Sequence, residues 1–181
     1  MKNHPTNRLI EPQRVNLVTG VLTNSEENLQ KAKEKLSQYF GPIDCQSPSF
    51  LFDKTDYYEK EMGVNLFRVW FGFKSLINAE EIVSIKLKVN AIESFFSVDN
   101  KRTINIDPGY IDVGKLVLVS VKYGTQKIYL GSNIWADIVL MYENGKFTQL
   151  PWSFPDFKSG IYNDFLKKYR SMYKLKLNCK R

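Results

Sequence analysis

Four carboxylates and two adjacent tyrosines fall within the eleven residues Asp53-Lys54-Thr55-Asp56-Tyr57-Tyr58-Glu59-Lys60-Glu61-Met62-Gly63. Hard cations such as Mg²⁺ take oxygen ligands, and a short acidic segment can supply several of them. The spacing is not that of an EF-hand, because both the glycine at the sharp turn and the glutamate at the twelfth position are missing. The same residues also read as a solvated loop whose tyrosines pack on the core. A second group, Asn105-Ile106-Asp107-Pro108-Gly109-Tyr110, follows a strand-like run and so stands where a sheet meets a loop, a common place for functional groups. Asp107 there can bind a cation, accept a hydrogen bond from a substrate, or cap a helix with Pro108 at its first position. A third group, Pro151-Trp152-Ser153-Phe154-Pro155-Asp156-Phe157, is stiff and aromatic. It can line a pocket, with Asp156 as its polar group, or strap the last helix to the core by burying its rings.

Gly109-Tyr110-Ile111-Asp112-Val113-Gly114-Lys115-Leu116 matches the phosphate-binding pattern G-x-x-x-x-G-K-[ST] at every fixed position but the last. Leu116 replaces the hydroxyl that would meet Mg²⁺, and Asp112 sets an anion where phosphates would lie. The surrounding elements also lack the alternating strand and helix order of such folds. The match therefore reads as accidental.

Other chemistries lack their residues. His4 is the only histidine, and it sits in a polar, proline-broken lead, so neither a Ser-His-Asp or Cys-His site nor a His-ligated metal is expected. Cys45 and Cys179 supply neither a disulfide framework nor a zinc site. The opening residues lack the apolar centre of a secretory signal, and no apolar run approaches the length of a membrane span, so a cytoplasmic protein is expected. The net charge of +7 is confined to one end. Residues 158–181 hold Lys158, Lys167, Lys168, Arg170, Lys174, Lys176, Lys180 and Arg181 against Asp164 alone, while residues 1–157 carry 18 charges of each sign. Lysines interleaved with Tyr162, Tyr169 and Tyr173 can grip a nucleic-acid backbone, or can simply form the wet face of an amphipathic helix.

The elements that must position these groups follow from periodicity. Residues 15–22 read as a strand. Asn24-Ser25-Glu26-Glu27 then opens a helix that carries Leu29, Ala32, Leu36 and Phe40 on one face and stops at Gly41-Pro42. Residues 43–52 are extended in part, and residues 66–73 form a strand. Asn78 and Glu81 cap a second helix with the stripe Ile82, Ile85, Val89, Ile92 and Phe96, and residues 102–106 form a strand. The order is β-α-β-β-α-β, that of a ferredoxin-like split unit, with both helices expected on one face of an antiparallel sheet. Residues 110–123 suit strand or helix. Strands follow near 127–131 and 134–142, Asn144-Gly145 turns into a strand at 147–150, and a final basic helix starts near Ser159. The expected fold is thus α+β: a ferredoxin-like core, C-terminal strands and a last basic helix. A disordered lead spans 1–14, one domain spans 15–175, and a basic tail spans 176–181.

Several of these stretches together resemble a bacterial family known only as domain of unknown function forty-four sixteen. They are Gly20-Val21-Leu22, Phe40-Gly41-Pro42-Ile43-Asp44, Thr55 to Gly63, Asn105 to Tyr110, Lys115-Leu116-Val117-Leu118, Ile128-Tyr129-Leu130-Gly131 and Leu150 to Asp156. The resemblance implies no established activity. Some members carry a GTP-binding label, which the near match above does not support. The resemblance implies that members often have an alanine at the place of Gly114 and often a His-Arg pair where this chain has Gln126-Lys127.

The combined expectation is a pocket for a small polar ligand or a metal-bound phosphate compound. Asp53, Asp56, Tyr57, Tyr58 and Glu61 would line one side, Asp107 and Tyr110 the strand end, and Trp152 and Asp156 would close it. Asp56, Glu61 and Asp107 would be the ligands of any divalent metal. A nucleic-acid module built on the sheet and the basic helix is the alternative, and a partner-binding scaffold without pocket chemistry is the third.

Overall fold

In a computed structural model of the chain, residues 11–178 are described; the N-terminal part of the expected lead with His4, and Cys179, Lys180 and Arg181, lie outside them. Among the described residues there are nine strands and five α-helices, the helices interspersed with strands in the first half and following the strands in the second. The first half runs β1 (Val15–Thr23), α1 (Glu26–Phe40), β2 (Ile43–Gln46), β3 (Phe50–Leu51), α2 (Glu59–Met62), β4 (Phe67–Ile77), α3 (Ile82–Phe95) and β5 (Ile104–Ile111). The second half runs β6 (Lys115–Ser120), β7 (Ile128–Gly131), β8 (Ile134–Glu143), β9 (Lys146–Gln149), α4 (Pro155–Lys158) and α5 (Asn163–Asn178). The helix starts are built from the expected caps. The Ser25 hydroxyl accepts the Asn28 N–H, and Asn78 and Glu81 form a reciprocal capping box ahead of α3. Asn144 and Gly145, both at positive φ, turn β8 into β9.

All the pairings of the sheet are antiparallel, and its main path runs β2-β4-β1-β5-β6-β8-β7. β1 is central and buried at all nine positions, because each face of the sheet is covered. On one face Leu17, Val21, Val69, Phe71, Phe73, Ile104 and Ile106 meet Leu29, Ala32 and Leu36 of α1 and Ile82, Ile85, Val89 and Ile92 of α3. On the other, Val18, Trp70, Leu116, Leu118 and Val139 meet Phe157, Phe165, Leu166 and Tyr169 from α4 and α5. Two glycines let this second layer sit close. A Cβ on Gly72 would stand 2.2 Å from the Tyr169 ring, and one on Gly20 2.8 Å from the Trp70 ring. Tyr169 is fully buried, and its hydroxyl accepts the Phe73 N–H at 2.7 Å and donates to the Leu17 carbonyl at 2.5 Å, so α5 is pinned to both central strands.

The stretch expected to start a helix at Asp107-Pro108 lies inside β5 instead. Ile106, Asp107 and Pro108 pair with Val21, Gly20 and Thr19 of β1, and the β-branched residues that follow continue the sheet as β6. The near phosphate-binding pattern is the β5–β6 hairpin and not a strand-loop-helix. Asp112 folds back on the turn, its carboxylate accepting the Gly114 and Lys115 N–H groups and pairing with the Lys115 ammonium. The backbone donors that would cradle a phosphate are therefore already used. The last helix also differs from expectation: a one-turn helix, α4, precedes it, and α5 starts at Asn163 and continues through residues 176–178, which do not form a tail. Among the described residues no helix is long and apolar enough to cross a membrane.

β5 and β6 pair only at Gly109–Leu118, Tyr110–Val117 and Ile111–Leu116. Continuing that register would set Pro108 opposite Val119. Proline has no N–H to give a ladder, so the pairing ends there and the two strands part. This fork in the sheet positions the site.

Candidate functional site

Beyond Pro108 the edge of β5 that faces the fork is finished by side chains. The Glu93 carboxylate accepts the Ile106 N–H at 2.5 Å, and the Lys86 ammonium donates to the Ile106 carbonyl at 3.2 Å. Both come from the buried face of α3, two turns apart, where they replace the missing strand. Burial pushes the Glu93 carboxyl up, against the pull of Lys86.

On the other face of the sheet lies a buried charge cluster. Arg68 of β4 donates to Asp156 at 3.0 Å and to Asp107 at 3.2 Å. Tyr162 donates to the same Asp156 oxygen at 2.8 Å. The Arg68 guanidinium also lies over the Phe52 ring, 4.8 Å from its centre. α4 carries Asp156 in its first turn, and the preceding strap is held by Trp152 Nε1 to the Ile138 carbonyl at 2.9 Å and Ser153 Oγ to the Val139 carbonyl at 2.5 Å. At the end of β5, Arg102 grips Glu61 with two 2.7 Å bonds and donates a third, also 2.7 Å, to Asn105 Oδ1. The Arg102 guanidinium holds the Glu61 carboxyl below the usual range.

Between these groups is a cavity of about 460 Å³. Its polar lining comes from Arg68, Asn105 and Asp107 on β4 and β5, Lys86, Asn90 and Glu93 on α3, Arg102, Gln126, Lys127 and Asp137 around the fork, and Asp156 on α4. Its apolar lining is Phe52, Tyr57, Tyr58, Tyr123, Trp152, Phe154 and Phe157, with Leu118, Val119 and Val139. Asn105 and Asp137 are each only 4% exposed, and each leaves one polar atom without a partner, the amide nitrogen of Asn105 and Oδ1 of Asp137. Arg68 Nε is in the same state. Burial pushes the Asp137 carboxyl up and the Lys127 ammonium down.

The chain's family can be set beside this geometry. A family model described as a domain of unknown function, DUF4416, matches residues 13–173. The chain belongs to that family. No curated protein and no solved structure matches it. The DUF4416 match spans every strand and helix named above except the end of α5.

Of the site residues expected from the DUF4416 sequence, Tyr57, Tyr58, Asp107, Trp152 and Asp156 line the cavity. The others do not. Asp53 is exposed beside Lys54, Asp56 is exposed, and Tyr110 packs against the core on the α1 and α3 face. The expected metal trio is not assembled. Glu61 is engaged by Arg102 and Asp107 by Arg68, and among the described residues no group of three or more His, Cys, Asp or Glu is placed to hold a metal ion. Carboxylates neutralised by guanidinium groups have no need of a cation.

The residues that sequence reasoning passed over are Arg68, Lys86, Glu93, Arg102 and Asp137; Asn105 stood in its second group without a role of its own. A signal was present for most. Arg68 interrupts the apolar run Leu66-Phe67-Arg68-Val69-Trp70, and Asp137 interrupts Ile134 to Met141. Lys86 and Glu93 stand seven apart, adjoining the stripe of α3. A charged residue inside an apolar pattern is retained only with a partner, so each of these implied one. Of the basic residues on α5, Lys176 bonds Asp44, Asn16 and the Phe73 carbonyl, and Arg170 bonds the Val113 carbonyl while stacking on Tyr142. Lys167, Lys168 and Lys174 are exposed.

Proposed function

We propose that this protein binds a small polar molecule in the fork between β5 and β6. Asp107, Asp156, Tyr57, Tyr58 and Trp152 belong to the binding wall, and Glu61 acts by holding Arg102. The observation that carries the reading is the cavity of about 460 Å³, whose wall brings Arg68, Asn105, Asp107, Asp137 and Asp156 together among apolar side chains. The volume lies in the range of small-molecule sites, and the wall is apolar with a few convergent polar groups. The completed edge at Ile106 argues against an added peptide strand, since its N–H and carbonyl are already bonded. The β2-β4-β1-β5 order, antiparallel throughout with α1 and α3 on one face, supports reading the first half as a ferredoxin-like split unit, to which β6–β9 add the fork and the second wall.

The test is a thermal-shift screen with amino acids, monosaccharides, nucleosides, dicarboxylic acids and inorganic phosphate at millimolar concentration. A ligand bound only by the native state raises Tm by mass action. At least one class is expected to do so in the natural chain and not in Ser120→Trp, whose indole would fill the mouth. A screen with no shift, or with shifts unchanged in Ser120→Trp, overturns the reading.

A further inference from the structure

We propose that the ligand is an anion, and that Lys122 and Lys127 receive its charged oxygens, those of a carboxylate or a phosphate monoester. The inference rests on the binding reading above and names the charge of what the fork takes.

The cations that line the cavity are not equally free. Arg68 is claimed by Asp107 and Asp156, Arg102 is claimed by Glu61, and Lys86 lies buried on α3 with its ammonium on the Ile106 carbonyl. Lys122 and Lys127 line the same cavity from the connection between β6 and β7, and neither forms an ion pair among the described residues. What they touch is neutral. The Lys122 ammonium meets the Tyr57 hydroxyl and lies 4.3 Å from the centre of that ring, and the Lys127 ammonium donates to the Lys122 carbonyl at 3.1 Å. An ammonium has three N–H donors, so each lysine keeps donors to spare. A lysine is a compact point charge on a flexible stem, able to turn those donors to phosphate or carboxylate oxygens.

The two lysines are also held together. The Lys127 bond sets its ammonium against the backbone of Lys122, and the connection is braced by its own turns: the Ser120 hydroxyl accepts the Lys122 N–H at 2.9 Å, and the Gly124 carbonyl accepts the Lys127 N–H at 2.9 Å. Like charges so placed repel. Burial is the main force that pushes the Lys127 ammonium down, and the charge of Lys122 adds to it, against the pull of Asp137 and Asp107. An anion that accepts from both ammonium groups cancels that repulsion. The acids of the lining are otherwise engaged: Asp107 and Asp156 on Arg68, Glu93 on the Ile106 N–H, and Asp137 on the Gln126 amide. Glu93 and Asp137 are buried, whereas Lys122 is exposed and Lys127 half-buried, so the uncommitted donors are the more accessible groups.

Calorimetric titration with matched pairs at low ionic strength tests this: glycerol phosphate against glycerol, adenosine monophosphate against adenosine, and succinate against succinamide. In the natural chain the anion of at least one pair is expected to bind at least about tenfold tighter than its neutral partner, as charge-assisted hydrogen bonds require. The pairs that respond distinguish a phosphate monoester from a carboxylate. Lys122→Gln and Lys127→Gln are each expected to reduce the preference at least about threefold, while Lys167→Gln, exposed on α5, leaves it unchanged. Equal or tighter binding of the neutral partners overturns the inference. So does a preference that survives both cavity substitutions, or one that falls as far in Lys167→Gln, which would reflect general positive charge. Where the binding is lost in Ser120→Trp, the binding reading stands in each of these cases; absence of any Ser120→Trp-sensitive binding overturns both. The matched pairs are compared in the natural chain, so they decide the matter even if a lysine variant fails to fold.

Discussion

Arg68 is the residue on which the second face of the sheet turns. It lies in a strand whose neighbours are apolar, and its charge is tolerable there only because two carboxylates and an aromatic ring meet it. Removing one partner leaves that charge short of compensation. Asp156→Ala is therefore expected to destabilise the fold by about 3 kcal/mol, read as a lower urea midpoint with an unchanged slope. A loss under about 1 kcal/mol would mean that Asp107 alone satisfies the guanidinium. Glu61 offers a test with a sign. Arg102 holds its carboxyl below the ordinary value, so its contribution is complete above the ordinary carboxylate range and is lost as pH falls through the lowered value. The stability difference between the natural chain and Glu61→Gln should be largest near neutral pH and should close in acid; a difference that is constant with pH would assign Glu61 a packing role only. These pairings also explain why the metal trio misled. The sequence displays carboxylates close together, but the cations that claim them, Arg68 and Arg102, are brought in by β4 and by the approach to β5, and no local spacing announces that.

At the scale of elements, capping and stripes were legible because they are local. The Ser25 and Asn78 caps, the α1 and α3 faces and the Asn144-Gly145 turn each depend on residues within a few positions of one another. Asp107-Pro108 was misread for the same reason: as a dipeptide it has the composition of a helix start, and only the long-range pairing with β1 makes it strand. The proline then acts at the sheet edge, where it ends the β5–β6 ladder and opens the fork. The packing of α5 was likewise invisible, since it depends on a glycine about a hundred residues away. Gly72 gives the Tyr169 ring its place on β4, and an added methyl would stand 2.2 Å from that ring. Gly72→Ala is expected to cost about 1–3 kcal/mol through displacement of α5, measured by denaturation. Retention of full stability would show that α5 can shift at no cost and that its contact with β4 is loose.

The whole molecule is a sheet with two differently charged coats. The α1 and α3 layer closes a mainly apolar core with Lys86 and Glu93 at its edge, whereas the α4 and α5 layer covers a buried ion cluster and carries six basic residues against two acidic ones. That excess is smaller in effect than the sequence suggests. Arg170 and Lys176 are turned inward on carbonyls and a carboxylate, so the helix spends part of its charge in holding the fold together. Lys176 in particular ties α5 to β1, β2 and β4 at once, through Asn16, Asp44 and the Phe73 carbonyl. Removal of residues 177–181 keeps this ammonium and is expected to leave the urea midpoint nearly unchanged. Lys176→Met keeps the length of the side chain but loses three polar contacts, and should cost about 2 kcal/mol, within the range for hydrogen bonds to a charged group. If the truncation proved as damaging as the substitution, stability would reside in the end of the helix and not in the ammonium. If neither had an effect, the charge of this segment would be free of the fold, and the nucleic-acid alternative would regain its best argument; a salt-dependent affinity for RNA or DNA, lost on truncation, would then establish it.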